Sequence, residues 1–206
     1  MYRLYGAPGR ASAAPEAVLE ELGVAYEYVD VDLDDPVKVA EYRRLNPRGL
    51  VPTLIDGDRA IAESAAICVY LCDRHPEGGL APPLGTLDRG TFYQWMFYLS
   101  NTLQSAYMQY IYPARYYTDV QGAPRLQADA GTRIAAMWRE LDAALAPGPF
   151  LLGERMSACD IYLHMLSTWH REAIVPLVQF PNVHRALALV AARPGVKQMM
   201  ARNANK

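Results

Sequence analysis

The rhythm of the apolar residues changes once along this chain, near residue 80, and that change limits the folds open to it. Before it, strand and helix patterns alternate. Tyr2 to Tyr5 reads as a short strand, Ala13 to Leu22 as a helix closed by Gly23, and Tyr26 to Val31 as a second strand. Val37 to Leu45 reads as a helix stopped by Asn46-Pro47. Thr53 to Ile55 and Arg59 to Ala62 are expected to pair as a hairpin around Asp56-Gly57, a strong tight-turn signal. Ser64 to Arg74 reads as the closing helix. This β-α-β-α-β-β-α order predicts a small mixed sheet with helices against it. Residues 75–85 are punctuated by proline and glycine and read as a connector. Beyond them no strand rhythm returns, and 87–112, 123–146, 157–172 and 182–203 read as helices. The expected division is an α/β domain over 1–78, a linker over 79–85 and an all-helical domain over 86–206.

The rest of the composition excludes more than it suggests. A chain of 206 residues can bury a substantial core. Its formal net charge is only −2, with no long block of one sign, so neither a nucleic-acid footprint nor an anionic-membrane surface is expected. No apolar run approaches a bilayer span, and a soluble, cytoplasmic protein is expected. Three cysteines make an odd count for a disulfide framework. Cys68 and Cys72 share a helical face, but no histidine or third ligand stands at metal spacing, so both read as buried small hydrophobes and no metal is expected.

Two short segments carry the chemistry. Asn46-Pro47-Arg48-Gly49-Leu50-Val51-Pro52-Thr53-Leu54 places a proline at the mouth of a short strand, and Glu63-Ser64 then puts an acid and a hydroxyl at a helix start. Further on, Ser157-Ala158-Cys159-Asp160 has the spacing of a capping box, a structural device. The Val-Pro strand mouth, the Glu-Ser pair and the Ser-x-x-Asp box, in this order, resemble the glutathione transferase family. The resemblance covers almost the whole chain. It implies a thioredoxin-like glutathione-binding domain, an all-helical C-terminal domain and a homodimer, with glutathione as co-substrate.

It also implies roles. Pro52 would be cis, leaving the N–H and C=O of Val51 to pair with the cysteinyl unit of glutathione like one rung of a sheet. Ser64 and the helix start would receive the γ-glutamyl carboxylate, and Glu63 would face the ammonium. Arg48 and Lys38 are candidates for the glycyl carboxylate, although a solvated role fits each equally well.

The segment Leu4 to Pro15 resembles the first strand and loop of bacterial members, yet departs from them at the decisive place. The cysteine class would put its Cys at Ala11, the serine classes their Ser at Arg10, and the tyrosine classes their Tyr at Tyr5. Three candidates for activating the thiol follow: the Ser12 hydroxyl, the Tyr5 phenol and the Arg10 guanidinium. Ser12 is preferred, assisted by backbone N–H groups around Arg10 and Ala11. A plain helix-capping role for Ser12 competes with this.

In the helical half, residues 92–117 hold seven of the 14 tyrosines, so the aromatic side chains concentrate there. Helical spacing puts Phe97, Asn101 and Gln104 on one face, where the two amides would touch glutathione. Phe97, Tyr107 and Trp169 would line the pocket of a flat apolar co-substrate. His170 reads as a satisfied histidine, since no Ser-His-Asp arrangement is legible. The expected activity is conjugation of glutathione to small hydrophobic electrophiles, a detoxification reaction, with glutathione peroxidase activity at its side. The alternative is a non-catalytic glutathione-binding or interaction module. Thiol-disulfide exchange is disfavoured by the absence of cysteine from the first loop and helix.

Overall fold

The computed structural model describes residues 1–117, 119 and 122–204. It divides into two compact units, one of residues 1–84 with 190–206, the other of residues 85–189.

The first unit is built on four strands, β1 (Tyr2–Gly6), β2 (Tyr26–Asp30), β3 (Thr53–Asp56) and β4 (Arg59–Ala62), in the order β2-β1-β3-β4. β1 runs parallel to β2 and antiparallel to β3, and β3 turns back into β4. Along β1, Tyr2, Leu4 and Gly6 are buried while Arg3 is exposed and Tyr5 half-buried, the period of a strand with unequal faces. Thr53, Leu54 and Ile55 of β3 are all buried, as a strand covered on both faces requires. The expected hairpin forms, with Asp56 opposite Arg59 and Gly57 at φ +59°. Helices α1 (Ala13–Leu22) and α3 (Ser64–Arg74) have the predicted spans. Helix α2 runs from Pro36 to Tyr42, capped by Asp35, whose carboxylate accepts from the N–H groups of Val37 and Lys38. It stops three residues short of the expected Leu45, because the chain before Pro47 tightens into shorter turns.

The helix expected over 182–203 is two helices, α8 (Pro181–Ala191) and α9 (Pro194–Ala204), interrupted where Pro194 cannot continue the ladder. α9 belongs to the first unit and packs on α1. The expected boundary, with all of 86–206 in one helical domain, therefore fails at its end. Gly195 permits the approach: a Cβ there would stand 2.5 Å from the backbone nitrogen of Glu21. The Glu21 carboxylate in turn accepts the Gly195 N–H at 2.7 Å and pairs with Arg193 at 2.8 Å.

The second unit contains α4 (Leu87–Phe97), a π-helical turn (Tyr98–Leu103), α5 (Gln104–Ile111), α6 (Gly122–Ala144), α7 (Ala158–Thr168) and most of α8. Among the described residues it holds no β-strand, only a single antiparallel bridge between Phe150 and Gly153. Phe92, Tyr107, Trp138 and Tyr162 are among the largest side chains in its core. The capping box is present: Asp160 accepts the Ser157 N–H at 2.8 Å, and Ser157 Oγ accepts the Cys159 N–H at 3.3 Å. The second Asp160 oxygen accepts the Leu151 N–H at 2.8 Å, so the carboxylate pins the preceding loop as well.

Candidate functional site

The chain approaching β3 is fixed by a polar knot. Tyr42 from the end of α2 and Asn46 from the turn after it both donate to the carbonyl of Leu50, at 2.9 and 2.7 Å. Both also reach Thr53 Oγ1, at 2.6 and 3.3 Å. With Leu50 and Thr53 clamped, the residues between them have little freedom. The Val51–Pro52 peptide is cis, as the resemblance implied. Pairing of β3 with β1 starts at Thr53, so Val51 lies outside the ladder. Among the described residues no group takes up the Val51 N–H or C=O. Residues 46–53 thus hold one half-buried peptide edge open.

Glu63 precedes α3 at φ +71°, the one positive φ of a non-glycine residue described here. Such a conformation costs on the order of 1–3 kcal/mol and persists only where its surroundings enforce it. Arg48 Nη1 stands 2.5 Å from Glu63 Oε1, in an ion pair with both side chains exposed. Arg48, expected at the glycyl carboxylate, is therefore engaged with Glu63. Ser64, buried, opens α3 immediately after. Lys38 is exposed and pairs with Asp32 at 3.2 Å and Asp35 at 3.9 Å, and its hydrogen bond to Asp32 raises its pKa.

The first loop corrects the leading expectation. Ser12 is only 1% exposed, and its hydroxyl donates to the Ala7 carbonyl at 3.0 Å while accepting the Ala7 N–H at 3.2 Å. Its proton is committed inside the protein, so Ser12 is not placed to donate to a thiolate. It does not cap α1 with its side chain either. Ser12 is a clip that closes the Ala7–Ser12 loop. Gly6 is required beside it, because a Cβ there would stand 2.6 Å from both the Ser12 Cβ and the Tyr28 hydroxyl. Of the two backbone donors expected to assist, the Arg10 N–H is bound to Ala7 O at 3.2 Å. The Ala11 N–H has no acceptor among the described residues. Tyr5 packs its ring on Tyr42, centroids 5.9 Å apart. Arg10 is exposed and borders an open hollow of about 530 Å³ whose walls include Ala7, Pro8, Asp32 and Lys38.

Within the helical unit the expected residues separate. The π-helical turn over Tyr98–Leu103 interrupts the 3.6-residue rhythm on which their common face was based. Phe97 and Asn101 are exposed, whereas Gln104 is half-buried and accepts from the Tyr162 hydroxyl. Tyr107 is fully buried, so it lines no accessible pocket. Its hydroxyl accepts the Trp138 indole N–H at 2.8 Å and meets His170 Nδ1 at 2.8 Å. His170 Nε2 reaches the Val175 carbonyl at 2.6 Å, and burial lowers the pKa of the ring. The histidine is satisfied, as its sequence context suggested. Trp169 is 9% exposed and caps α7. Cys68, Cys72 and Cys159 are buried, and burial pushes the Cys68 thiol well up, which leaves no reactive thiolate there.

A four-stranded mixed sheet with an open peptide edge before β3, followed by an acid at positive φ and a serine at a helix start, defines a thioredoxin-like unit. The sequence pattern of "Glutathione S-transferase, N-terminal domain" matches residues 4–79. The uncharacterised GST-like protein YncG of Escherichia coli K12 is 30% identical over 172 residues, 82% of each chain. The bacterial GST BphK, solved as a ternary complex, superposes with a TM-score of 0.88 at 27% identity, covering 98% of this chain and 99% of its own. A sphingomonad glutathione S-transferase complexed with glutathione superposes at 0.86 with 27% identity, covering 99% of this chain and all of its own. The chain belongs to the glutathione S-transferase family.

Proposed function

We propose that this protein binds glutathione along Val51 and uses its thiolate to attack small hydrophobic electrophiles. The observation that carries this reading is the unpaired main chain of Val51, held open between two clamped residues and followed by Glu63 and Ser64. One peptide rung at Val51 and a carboxylate at the start of α3 together fit a γ-glutamyl tripeptide. Bound glutathione in the sphingomonad relative supports the same ligand.

Thiol activation needs a donor. A free thiol with pKa about 8.5 is only ~3% thiolate at neutral pH, and lowering it by about two units takes roughly 2.7 kcal/mol of preference for the anion. A helix N-terminus supplies about 0.3–1 kcal/mol. A hydrogen bond to a charged group adds about 1.5–3 kcal/mol. With Ser12 committed to Ala7, we assign the bond to the Ala11 N–H at the head of α1, with the Arg10 guanidinium as the nearby positive charge. Homodimerisation and peroxide reduction are further expectations, read by sedimentation and by a coupled peroxide assay.

The committed Ser12 hydroxyl also favours a second reading, a glutathione-binding protein without turnover. One experiment separates the two. Calorimetry with glutathione is expected to show binding below millimolar concentration, and the bound complex is expected to show thiolate absorbance at neutral pH and to turn over an aryl halide. Binding without thiolate absorbance establishes the second reading; no uptake at millimolar glutathione removes both.

A further inference from the structure

We propose that Asn203 on α9 is a positioning residue for the Ala7–Ser12 loop, holding it in the shape that points the Ala11 N–H at the thiol. The inference rests on the assignment of that N–H above.

Asn203 touches the loop directly. Its Oδ1 accepts the N–H of Gly9 at 3.0 Å, and Gly9 stands at φ +67° two residues before Ala11. Its Nδ2 donates to Glu16 Oε2 at 3.3 Å and to the Met199 carbonyl at 2.9 Å. These partners fix which way the amide faces. Turned over, it would set NH2 against the Gly9 N–H and oxygen against a carboxylate, which replaces attraction by repulsion at both ends. The Glu16 side chain is fully buried on α1, and its other oxygen is held by Arg202 at 2.5 Å. Asn203 therefore ties the loop tip to a fixed point on α1.

A second contact runs from α9 to the root of the loop. The Arg202 guanidinium lies 5.6 Å from the Tyr26 ring centroid and 5.4 Å from that of Tyr28. The Tyr28 hydroxyl bonds Ser12, and Ser12 is the clip on Ala7. Consecutive residues of α9 thus reach the tip of the loop directly and its root through Tyr28. The Gly9 bond lies on the surface, where a hydrogen bond adds little to global stability. Its consequence is directional: it fixes where a free backbone donor two residues away points.

The test uses the full chain with Asn203→Ala, which removes both ends of the tether, and with Asn203→Asp, which keeps the acceptor for Gly9 but loses the donor to Glu16. Amide exchange of residues 9–11 is read without ligand. Bound-glutathione thiol pKa is read from thiolate absorbance, and affinity for S-methylglutathione reports docking without a thiol. Asn203→Ala is expected to speed exchange at Gly9 about tenfold and to raise the bound thiol pKa by about half to one unit. That is roughly a three- to tenfold loss of kcat below the pKa, with S-methylglutathione affinity unchanged within about twofold. Asn203→Asp keeps an acceptor for Gly9 but sets an oxygen against Glu16 and the Met199 carbonyl. It is expected to slow Gly9 exchange relative to Asn203→Ala by less than the wild-type amide does, and to leave the thiol pKa above wild type. Unchanged exchange and unchanged thiol pKa in Asn203→Ala overturn the inference, as does a parallel fall in S-methylglutathione affinity and melting temperature. Should the wild type bind glutathione without lowering its pKa, the Ala11 assignment fails while the exchange result still decides the tether.

Discussion

Asp160 in the helical unit and Glu16 in the sheet-bearing unit are both buried carboxylates, and they are held in contrasting ways. Asp160 is satisfied by its own neighbourhood, through the N–H groups of Leu151 and Ser157 and the Ser157 hydroxyl. Two of those three donors are main chain, which cannot leave without local unfolding. Glu16 is satisfied by side chains from α9, Arg202 and Asn203. Those donors can rotate away while α1 stays intact. Burial raises the pKa of both acids. In Glu16 it outweighs the Arg202 guanidinium and carries the group up to about 7. The difference separates a lock that opens only with its fold from one that neutral pH and a single helix control.

The largest expected effect breaks the local lock. Asp160→Ala removes the acceptor of two buried N–H groups, each costing about 1–3 kcal/mol when left unmade. A loss of about 3–4 kcal/mol is expected, a fall in Tm on the order of 10 °C for a chain of this size. Urea denaturation checks it, and a loss below about 1 kcal/mol would mean that water replaces the carboxylate.

The next effect tests the long-range lock through pH. Glu16 has a folded pKa near 7 against an ordinary 4.5, so the native state holds an extra proton between those values. Its contribution to stability is fully present below about 4.5 and is lost as pH rises through 7, on the order of 3 kcal/mol. Glu16→Gln is expected to flatten that part of the stability–pH curve relative to wild type between pH 5 and 8. Arg202→Met removes the charge that opposes burial, so the decline should extend to higher pH. Denaturation midpoints at four pH values across this range decide both, and parallel wild-type and Glu16→Gln curves would show that the carboxylate titrates normally.

This contrast also explains what could be read from the residues alone. The Asp160 lock was legible because its parts lie within ten positions, and Ser-x-x-Asp announces it. The Asp56-Gly57 hairpin and the proline at the mouth of β3 were legible for the same reason, whereas the sheet order, which sets β1 beside β3, was not spelled out by any local signal. The Glu16 lock was not, since nothing near Glu16 points to residues 202 and 203. Nor was the Tyr42–Asn46–Thr53 knot, although Asn46 before a proline hinted at a turn. Pro194-Gly195, inside the helix expected over 182–203, is a local break that the residues do spell out. Ser12 illustrates the general limit. Residue type marked it as a hydroxyl near the ligand, but the destination of its proton depended on how closely Ala7 folds back, which no spacing encodes.

The smallest effect sharpens the comparison by dividing the local lock. Ser157→Ala removes the hydroxyl bond to Asp160 and the cap on the Cys159 N–H, but leaves both main-chain donors on the carboxylate. Loss of an N-cap typically costs about 1 kcal/mol. Ser157→Thr keeps the hydroxyl and should recover most of that loss. If the main-chain donors carry the lock, the alanine variant keeps well over half of the stability that Asp160→Ala removes, and its affinity for glutathione is unchanged. An alanine variant as unstable as Asp160→Ala would instead make the hydroxyl the keystone. The helical unit would then depend on a rotatable side-chain donor just as α1 depends on α9.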